Sequence, residues 1–342
     1  MTIKDIAKKA NVSVATVSRV MNEYKWVSPE LRSRVLKVIE EENYRPNYNA
    51  SVMATGKSNM IVIIVPDIMS PYFAQFTSIL NKRLKAAGFA TMLFQTDNNI
   101  AEETSFFYGP FARMADGIIS VTDGIEDARL LKIIKLLREK DRPVLFVDRA
   151  LPPGIADTAT NDNIGGIRRA VELLHRKGHR KIAMIVGKYG LSVVRDKMKG
   201  FRLAMRACGL TCNENYVRTG TWTVETGAAE TARLLRMSDP PTAIIACNNF
   251  ICEGVLSELD RQKRKAGKDI SVIGMEESCS DARLFSRLGV TTIKLDCERI
   301  AEHAASYMLE RLCNREKTSY FTSTEFIMEL IERDSVVDLT QK

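Results

Sequence analysis

The sequence predicts a small all-α headpiece joined to a larger α/β domain of two lobes, each built on a parallel sheet flanked by helices. Three observations predict it. Residues 2–22 carry two short helical patterns about a tight turn. From Met60 onward, short apolar runs alternate with amphipathic helical patterns, as βα units do. Seven such units exceed one comfortable sheet, and 342 residues are enough to build a small domain beside α/β lobes with real cores.

In order along the chain, Ile3, Ile6, Ala7 and Ala10 fall at the three-and-four spacing of one helix face. Asn11 is a plausible stop and Ser13 an N-cap. Val14–Met21 resumes the helical pattern with Val17, Val20 and Met21 inward, leaving Ala15, Thr16, Ser18, Arg19 and Asn22 outward. Helix-turn-helix DNA readers are built this way, and so are ordinary amphipathic helix pairs; spacing leaves the two even. Ser28 before Pro29-Glu30 caps a third helix through about Glu41, with Leu31, Val35, Val38 and Ile39 as its apolar stripe. Arg45-Pro46-Asn47 breaks it, and residues 47–58 form a short polar stretch ending in Gly56-Lys57-Ser58. A phosphate-binding P-loop is excluded there, because Ser51 stands where glycine is needed and no strand precedes it.

Candidate strands are Ile61–Val65, Thr91–Gln95, Gly117–Val121, Val144–Val147, Ile182–Val186, Ala243–Cys247 and Ser271–Gly274. Helical patterns cover Phe73–Ala87, Ala128–Glu139, Gly165–Lys177, Lys197–Cys208, Val224–Met237 and Phe250–Gln262. The lobes divide near residues 155–163, and a helix (Arg299–Leu312) and a terminal strand (Thr322–Leu330) complete them.

Composition excludes several classes. Hydrophobic residues make up 45% and charged residues 27%, no apolar run approaches a membrane span, and the chain starts with a polar helix and not a signal peptide. Seven cysteines without a CxxC pair point to reduced cytosolic thiols, not to a metal site or disulfide framework. The net charge is +8; residues 1–58 hold ten Lys/Arg against six Asp/Glu, so half the excess lies in about a sixth of the chain, which suits a phosphate-binding module. His175 and His179 lie four apart, but the pair lacks the glutamate of H-E-x-x-H and Gly178 breaks the helix between them. No nucleophile elbow, Cys/His pairing or paired carboxylates appear, so neither catalysis nor a cofactor is expected. Ligands of open parallel sheets bind beyond the carboxyl ends of strands. Asp67, Asp148-Arg149, Asn248-Asn249 and Glu276 follow four of the runs, a set suited to pairing the hydroxyls of a small polyol. Asp and Asn are also common turn residues, so each position alone is evenly balanced.

Residues 2–22 resemble the headpiece of the lactose/galactose repressor (LacI/GalR) family, T-[IL]-x-D-[IV]-A-x-x-A-x-V-S-x-x-T-V-S-R-V-[ILM]-N. Thr2, Asp5, Ala7, Ala10, Val12, Ser13, Thr16, Val17, Ser18, Arg19, Val20 and Asn22 match, and the likeness continues through residues 27–47 and most of the chain. The resemblance implies a helix-turn-helix headpiece over 1–46, a hinge helix over 47–58, and an effector-binding and dimerisation domain over 59–342 with a periplasmic-binding-protein-like fold. Its N-lobe would cover about 59–157 and 294–320 and its C-lobe about 161–290 and 322–340, with Thr291-Thr292-Ile293 at the third crossing between lobes. The DNA-binding residues it implies are Thr2, Val14, Ala15, Thr16, Ser18, Arg19, Asn22, Asn47, Ala50 and Met53. Val14 and Ala15 can touch a thymine methyl, Arg19 is placed for a guanine edge, and Thr16, Ser18, Asn22 and Asn47 suit phosphates. Met53 takes the place of the leucine wedged into the minor groove, and Ser51 replaces an arginine.

For the effector, PDIMSPYF (66–73) resembles a family element whose loop lines the cleft, implying contacts from Asp67, Tyr72 and Phe73. Asp148 and Asn161 fall at effector-contacting positions, and Trp222 at a pocket tryptophan. Lys197 replaces an effector-binding arginine and cannot form its bidentate fork; Arg195 is a candidate to compensate. Asn249 and Glu276 replace acidic family positions, so a ligand carrying a charge or an amine is expected in place of a neutral sugar. The implied protein is a cytoplasmic homodimeric repressor of a carbohydrate-related operon, bound to a pseudo-palindromic double-stranded operator and controlled by a sugar or sugar derivative, with no membrane partner. Two alternatives are a sensor domain answering to a phosphoprotein and, remotely, a sugar-processing enzyme with an appended headpiece. The tail VVDLTQK has no leucine heptad, so no tail-built tetramer is expected.

Overall fold

A computed structural model describes residues 1–21, 26–45, 56–121, 127–149, 154–275, 284–313 and 321–341. They form two compact units, Met1–Ser58 and Asn59–Lys342.

The first unit holds helices α1 (Ile3–Lys9), α2 (Val14–Met21) and α3 (Pro29–Glu41). The Asp5 carboxylate accepts from the Thr2 backbone N–H at 2.8 Å and from its hydroxyl at 2.9 Å, closing a capping box over the first turn. The Thr2 backbone N–H, then its hydroxyl, hold this carboxylate below the ordinary range. Asn11 adopts a left-handed φ of 52°, which ends α1 and turns the chain. The Ser13 hydroxyl then accepts from Thr16 N–H at 3.1 Å, and that of Ser28 from Leu31 N–H at 3.3 Å before Pro29. Ile6, Ala7, Ala10, Val17, Val20 and Val35 form the buried centre, the set that helical spacing points inward.

The second unit contains two six-stranded sheets. The first comprises β1 (Met60–Val65), β2 (Ala90–Gln95), β3 (Gly117–Ser120), β4 (Val144–Asp148), β5 (Asp157–Asn161) and β11 (Ser323–Phe326), in spatial order β11-β5-β4-β3-β1-β2, all parallel. The second comprises β6 (Ile182–Val186), β7 (Val217–Thr219), β8 (Ala243–Ala246), β9 (Ser271–Met275), β10 (Thr291–Lys294) and β12 (Glu329–Ile331), ordered β12-β10-β9-β8-β6-β7, with only β12 antiparallel. Every residue of β1, β6 and β9 is buried, as expected for strands covered by helices on both faces. The covering helices are α4 (Pro71–Ala86), α5 (Ile100–Tyr108), α6 (Pro110–Met114), α7 (Ala128–Glu139), α8 (Asn163–Arg176), α9 (Ser192–Ala207), α10 (Val224–Leu235), α11 (Asn249–Arg261) and α12 (Cys297–Cys313).

Three details correct the expected layout. Asp157–Asn161 is a buried strand of the first sheet, so the first crossing lies after residue 161. Thr291–Lys294 is a strand of the second sheet and precedes the second crossing. The stretch 322–330 is two strands and not one: Ser323–Phe326 lies parallel to β5 in the first sheet, and Glu329–Ile331 is antiparallel to β10 in the second. The third crossing therefore falls between Phe326 and Glu329, and 323–326 belongs to the first lobe. One core cluster runs through both lobes, from Ile61 and Tyr72 to Ile182, Ile245 and Ile293.

His179 is a packing residue, as the broken H-x-x-x-H pattern implies. Its ring nitrogens meet Thr242 Oγ1 at 2.9 Å, Ser271 Oγ at 2.8 Å and the Val337 carbonyl at 3.1 Å, and burial pushes its pKa down. The unfolded chain then binds the proton more tightly than the folded one, so stability falls as pH drops through the ordinary histidine range near ~6.5. The melting temperature should decline between pH 7.5 and 5.5. The His179→Gln variant should show a shallower decline and lose about 1–3 kcal/mol at neutral pH, measured by calorimetry across that range.

Candidate nucleic-acid interface and effector cleft

α2 buries Val17 and Val20 and turns Val14, Ala15 and Arg19 to solvent. Val14 is 40% exposed, an apolar side chain held out at the start of a helix that buries Val17 and Val20. Thr16 and Ser18 are half-buried, and the Thr16 hydroxyl lies 2.9 Å from that of Ser13, within the cap. Thr2 is exposed but engaged with Asp5. Of the expected DNA-binding set, Asn22, Asn47, Ala50 and Met53 lie outside the described residues. Trp26, 94% exposed just before α3, was not among the expected residues.

At the carboxyl end of the first sheet, Asp67 follows β1 and its Oδ1 accepts from Met69 N–H at 2.8 Å. Gln95, ending β2, accepts from Ile68 N–H at 3.0 Å and braces the same loop. Phe73 is half-buried, whereas Tyr72 is 4% exposed and packs edge-on to Phe73 and stacked on Phe76. Asp148 closes β4 at a left-handed φ of 68°, and its Oδ1 accepts from Asn161 Nδ2 at 3.2 Å. The neighbouring Arg149 is buried and donates to Asn98 Oδ1. Among the described residues, two buried oxygens of this end have no hydrogen-bond partner: Asn161 Oδ1 and Ser120 Oγ. An unpaired buried acceptor or hydroxyl costs about 1–3 kcal/mol, which a ligand hydroxyl would recover. Ser120 was not among the expected residues; its signal is a lone hydroxyl closing the aliphatic run Gly117–Ser120.

In the second lobe, Lys197 lies on the inner face of α9 and is 1% exposed. Its ammonium donates to the Cys247 carbonyl at 2.9 Å and lies 5.2 Å from the Trp222 ring centroid. Trp222 in turn lies on Gly187, where an added Cβ would come within 2.0 Å of the indole. Asn248 accepts from Ile251 N–H at 2.8 Å and caps α11, while Asn249 beside it is 5% exposed. Arg195 cannot replace the missing arginine. Two residues from Lys197, it stands about 200° round the helix. It is exposed there, donating to the Gly190 carbonyl at 3.2 Å, and lines an outer groove with Lys199 and Arg202. Glu276 lies outside the described residues. Among the described residues, no three His, Cys, Asp or Glu side chains are grouped to hold a metal, and no helix is long and apolar enough to cross a membrane.

The model of the bacterial regulatory proteins of the lacI family matches residues 2–47, and that of the periplasmic binding protein-like domain matches residues 171–336. The chain is 30% identical to the HTH-type transcriptional regulator DegA of Bacillus subtilis, over 81% of this chain and 82% of that one. It is 28% identical to the HTH-type transcriptional repressor PurR of Photobacterium profundum, over 99% of each. A crystal structure of the lac repressor dimer bound to operator and the anti-inducer ONPF superposes with a TM-score of 0.83 at 21% identity, covering 98% of this chain and 99% of that one.

Gly187→Ala should force the Trp222 ring from its seat while leaving the buried strands intact. In a Trp26→Phe background, which leaves one of the two tryptophans, the emission of Trp222 is expected to shift to the red with little change in far-ultraviolet circular dichroism. An unshifted spectrum would mean that the indole does not depend on the absent side chain at 187.

Proposed function

As the chain belongs to the lacI family of bacterial regulatory proteins, we propose that it is a cytoplasmic homodimeric repressor whose grip on a pseudo-palindromic operator is set by a sugar or sugar derivative. It is a transcription regulator and not an enzyme, like the relatives named regulators and repressors. The observation that carries the effector assignment is the pair of buried oxygens without protein partners, Asn161 Oδ1 and Ser120 Oγ, at the carboxyl end of the first sheet. Sugar hydroxyls donate and accept at once, so they satisfy an amide oxygen and a serine hydroxyl together. Trp222 and Phe73 supply flat apolar faces for a pyranose or furanose ring.

On the DNA side, Val14 and Ala15 read by contact, offering a thymine methyl an apolar surface without a hydrogen bond. Arg19 supplies the donor for a guanine edge, and Thr16, Ser18, Asn22 and Asn47 hold phosphates that set the position of α2 without specifying sequence. Two copies related by a twofold axis match an inverted repeat, and Met53 serves as the wedge at its centre. The structural relative is a dimer bound to operator, which supports this assembly. The effector moves the equilibrium between DNA-competent and DNA-incompetent settings only by its difference in affinity for the two.

A thermal-shift screen of the full chain against neutral, amino and acidic sugars tests the sensor role. A true effector at a hundred times its Kd adds about 2.7 kcal/mol, or roughly 5 °C or more for a domain of this size. Any hit should also change operator affinity. No stabilising compound would overturn the sugar assignment, and a plain neutral hexose as the best ligand would overturn the expectation of a charged or amine-bearing one. Arg19→Ala should cost about 1–3 kcal/mol in operator binding and relax specificity at one base pair. Equal loss on every sequence in a footprinting series would instead make Arg19 a phosphate contact.

A further inference from the structure

The first sheet has a cavity at its opposite end. β4 runs from Val144 to Asp148, so its two ends are ~13 Å apart. Beside Val144 lies a cavity of about 710 Å³, well within the range of small-molecule sites. Its walls come from one flank of α7, the starts of β4 and β5, the end of α12 and Phe321, with Leu131, Ile134, Val144 and Ile155 supplying apolar surface. Four cationic side chains stand around these walls: Lys135, Arg138, Arg142 and Arg311.

The charges are arranged unequally. Three carboxylates, Glu139, Asp141 and Asp157, share the lining. Asp157 is fully engaged within the protein: it accepts from the Thr322 backbone N–H at 2.8 Å and hydroxyl at 2.7 Å, and pairs with Arg311 at 3.3 Å. Glu139 and Asp141 are exposed. The Arg138 guanidinium lies 3.7 Å from the centroid of the Phe321 ring, a flat cation held against a flat apolar wall. Arg142 donates to the Ala115 carbonyl at 2.7 Å and to the carbonyl of Arg113. The next residue of that turn, Asp116, accepts from Asn59 N–H at 2.8 Å. The cavity wall is thus tied by hydrogen bonds to Asn59, where this unit begins.

We propose that this cavity is a second ligand site, taking an amphipathic organic anion whose aromatic or branched body fills the apolar walls while its carboxylate or sulfonate meets the guanidinium of Arg138. It is separate from the effector site, which uses the other ends of the same strands. An apolar body alone would fill the walls but leave the cationic rim in water, so charge should decide affinity.

The test uses the full-length chain and two fluorescent probes of nearly the same shape: 8-anilinonaphthalene-1-sulfonate, which is anionic, and N-phenyl-1-naphthylamine, which is neutral. The anion is expected to bind saturably, one per chain, at least tenfold more tightly than the neutral compound. Arg138→Gln should weaken it at least tenfold. Phe321→Ala, a second variant that removes the wall without touching the charge, should weaken both probes together. Lys199→Gln, on the other lobe, should change neither by more than twofold. Absence of saturable binding, equal affinity for the two probes, or binding indifferent to both cavity variants would each overturn the proposal.

Discussion

Strand direction is the constraint on which the second unit depends. With nine of the ten described strand pairs parallel, the chain leaves the ladder of a given sheet at one edge and re-enters at the other at every strand but β12. The middles of the central strands are covered on both faces and are apolar, as Met60–Val65 and Ile182–Val186 are. Polar chemistry is driven to the edges. Asp67, Ser120, Asp148 and Asn161 collect at the carboxyl edge because there is nowhere else in these strands for them to go. At the amino edge, the starts of β4 and β5 meet α7 around a cavity.

The headpiece obeys a different economy. Six small or branched side chains make up its buried centre, too few to hold three helices in place by apolar burial alone. Local hydrogen bonds at the helix starts carry a correspondingly larger share: Asp5 with Thr2, Ser13 with Thr16, Ser28 with Leu31. These caps also fix where α2 begins, and therefore which residues stand outward at its first turn. Helix stability and the outward face of α2 are set by the same few residues.

Much of this was legible in the sequence, for identifiable reasons. Unbroken aliphatic runs bounded by turn residues located most strands within a residue or two, and helical spacing located α2 and α7. What escaped was polar or short. Asp157–Asn161 reads D-T-A-T-N and has no apolar run, yet it is buried because strands lie on both sides of it. Val217–Thr219 is only three residues long. The stretch 322–330 has the composition of one strand, and nothing local marks the change of sheet within it. In the site, the lysine at 197 was visible as a departure from the family motif, but its contact with the Cys247 carbonyl depends on a strand fifty residues away. Arg195 and Lys197 stand two positions apart on one helix and therefore point to opposite sides.

The route of the chain between sheets has a consequence for synthesis on the ribosome. The first lobe acquires β11 only at residues 323–326, after the strands of the second sheet from β6 to β10 have been made. α12, which packs against the first lobe, emerges only shortly before it. Between residues 161 and 323 of synthesis, therefore, β5 is an open edge with half its ladder unsatisfied, beside a second lobe that is itself still missing β12. Such edges invite pairing with the wrong strand. Neither lobe is a contiguous stretch of gene, so neither can be completed, or inherited by recombination, without the other.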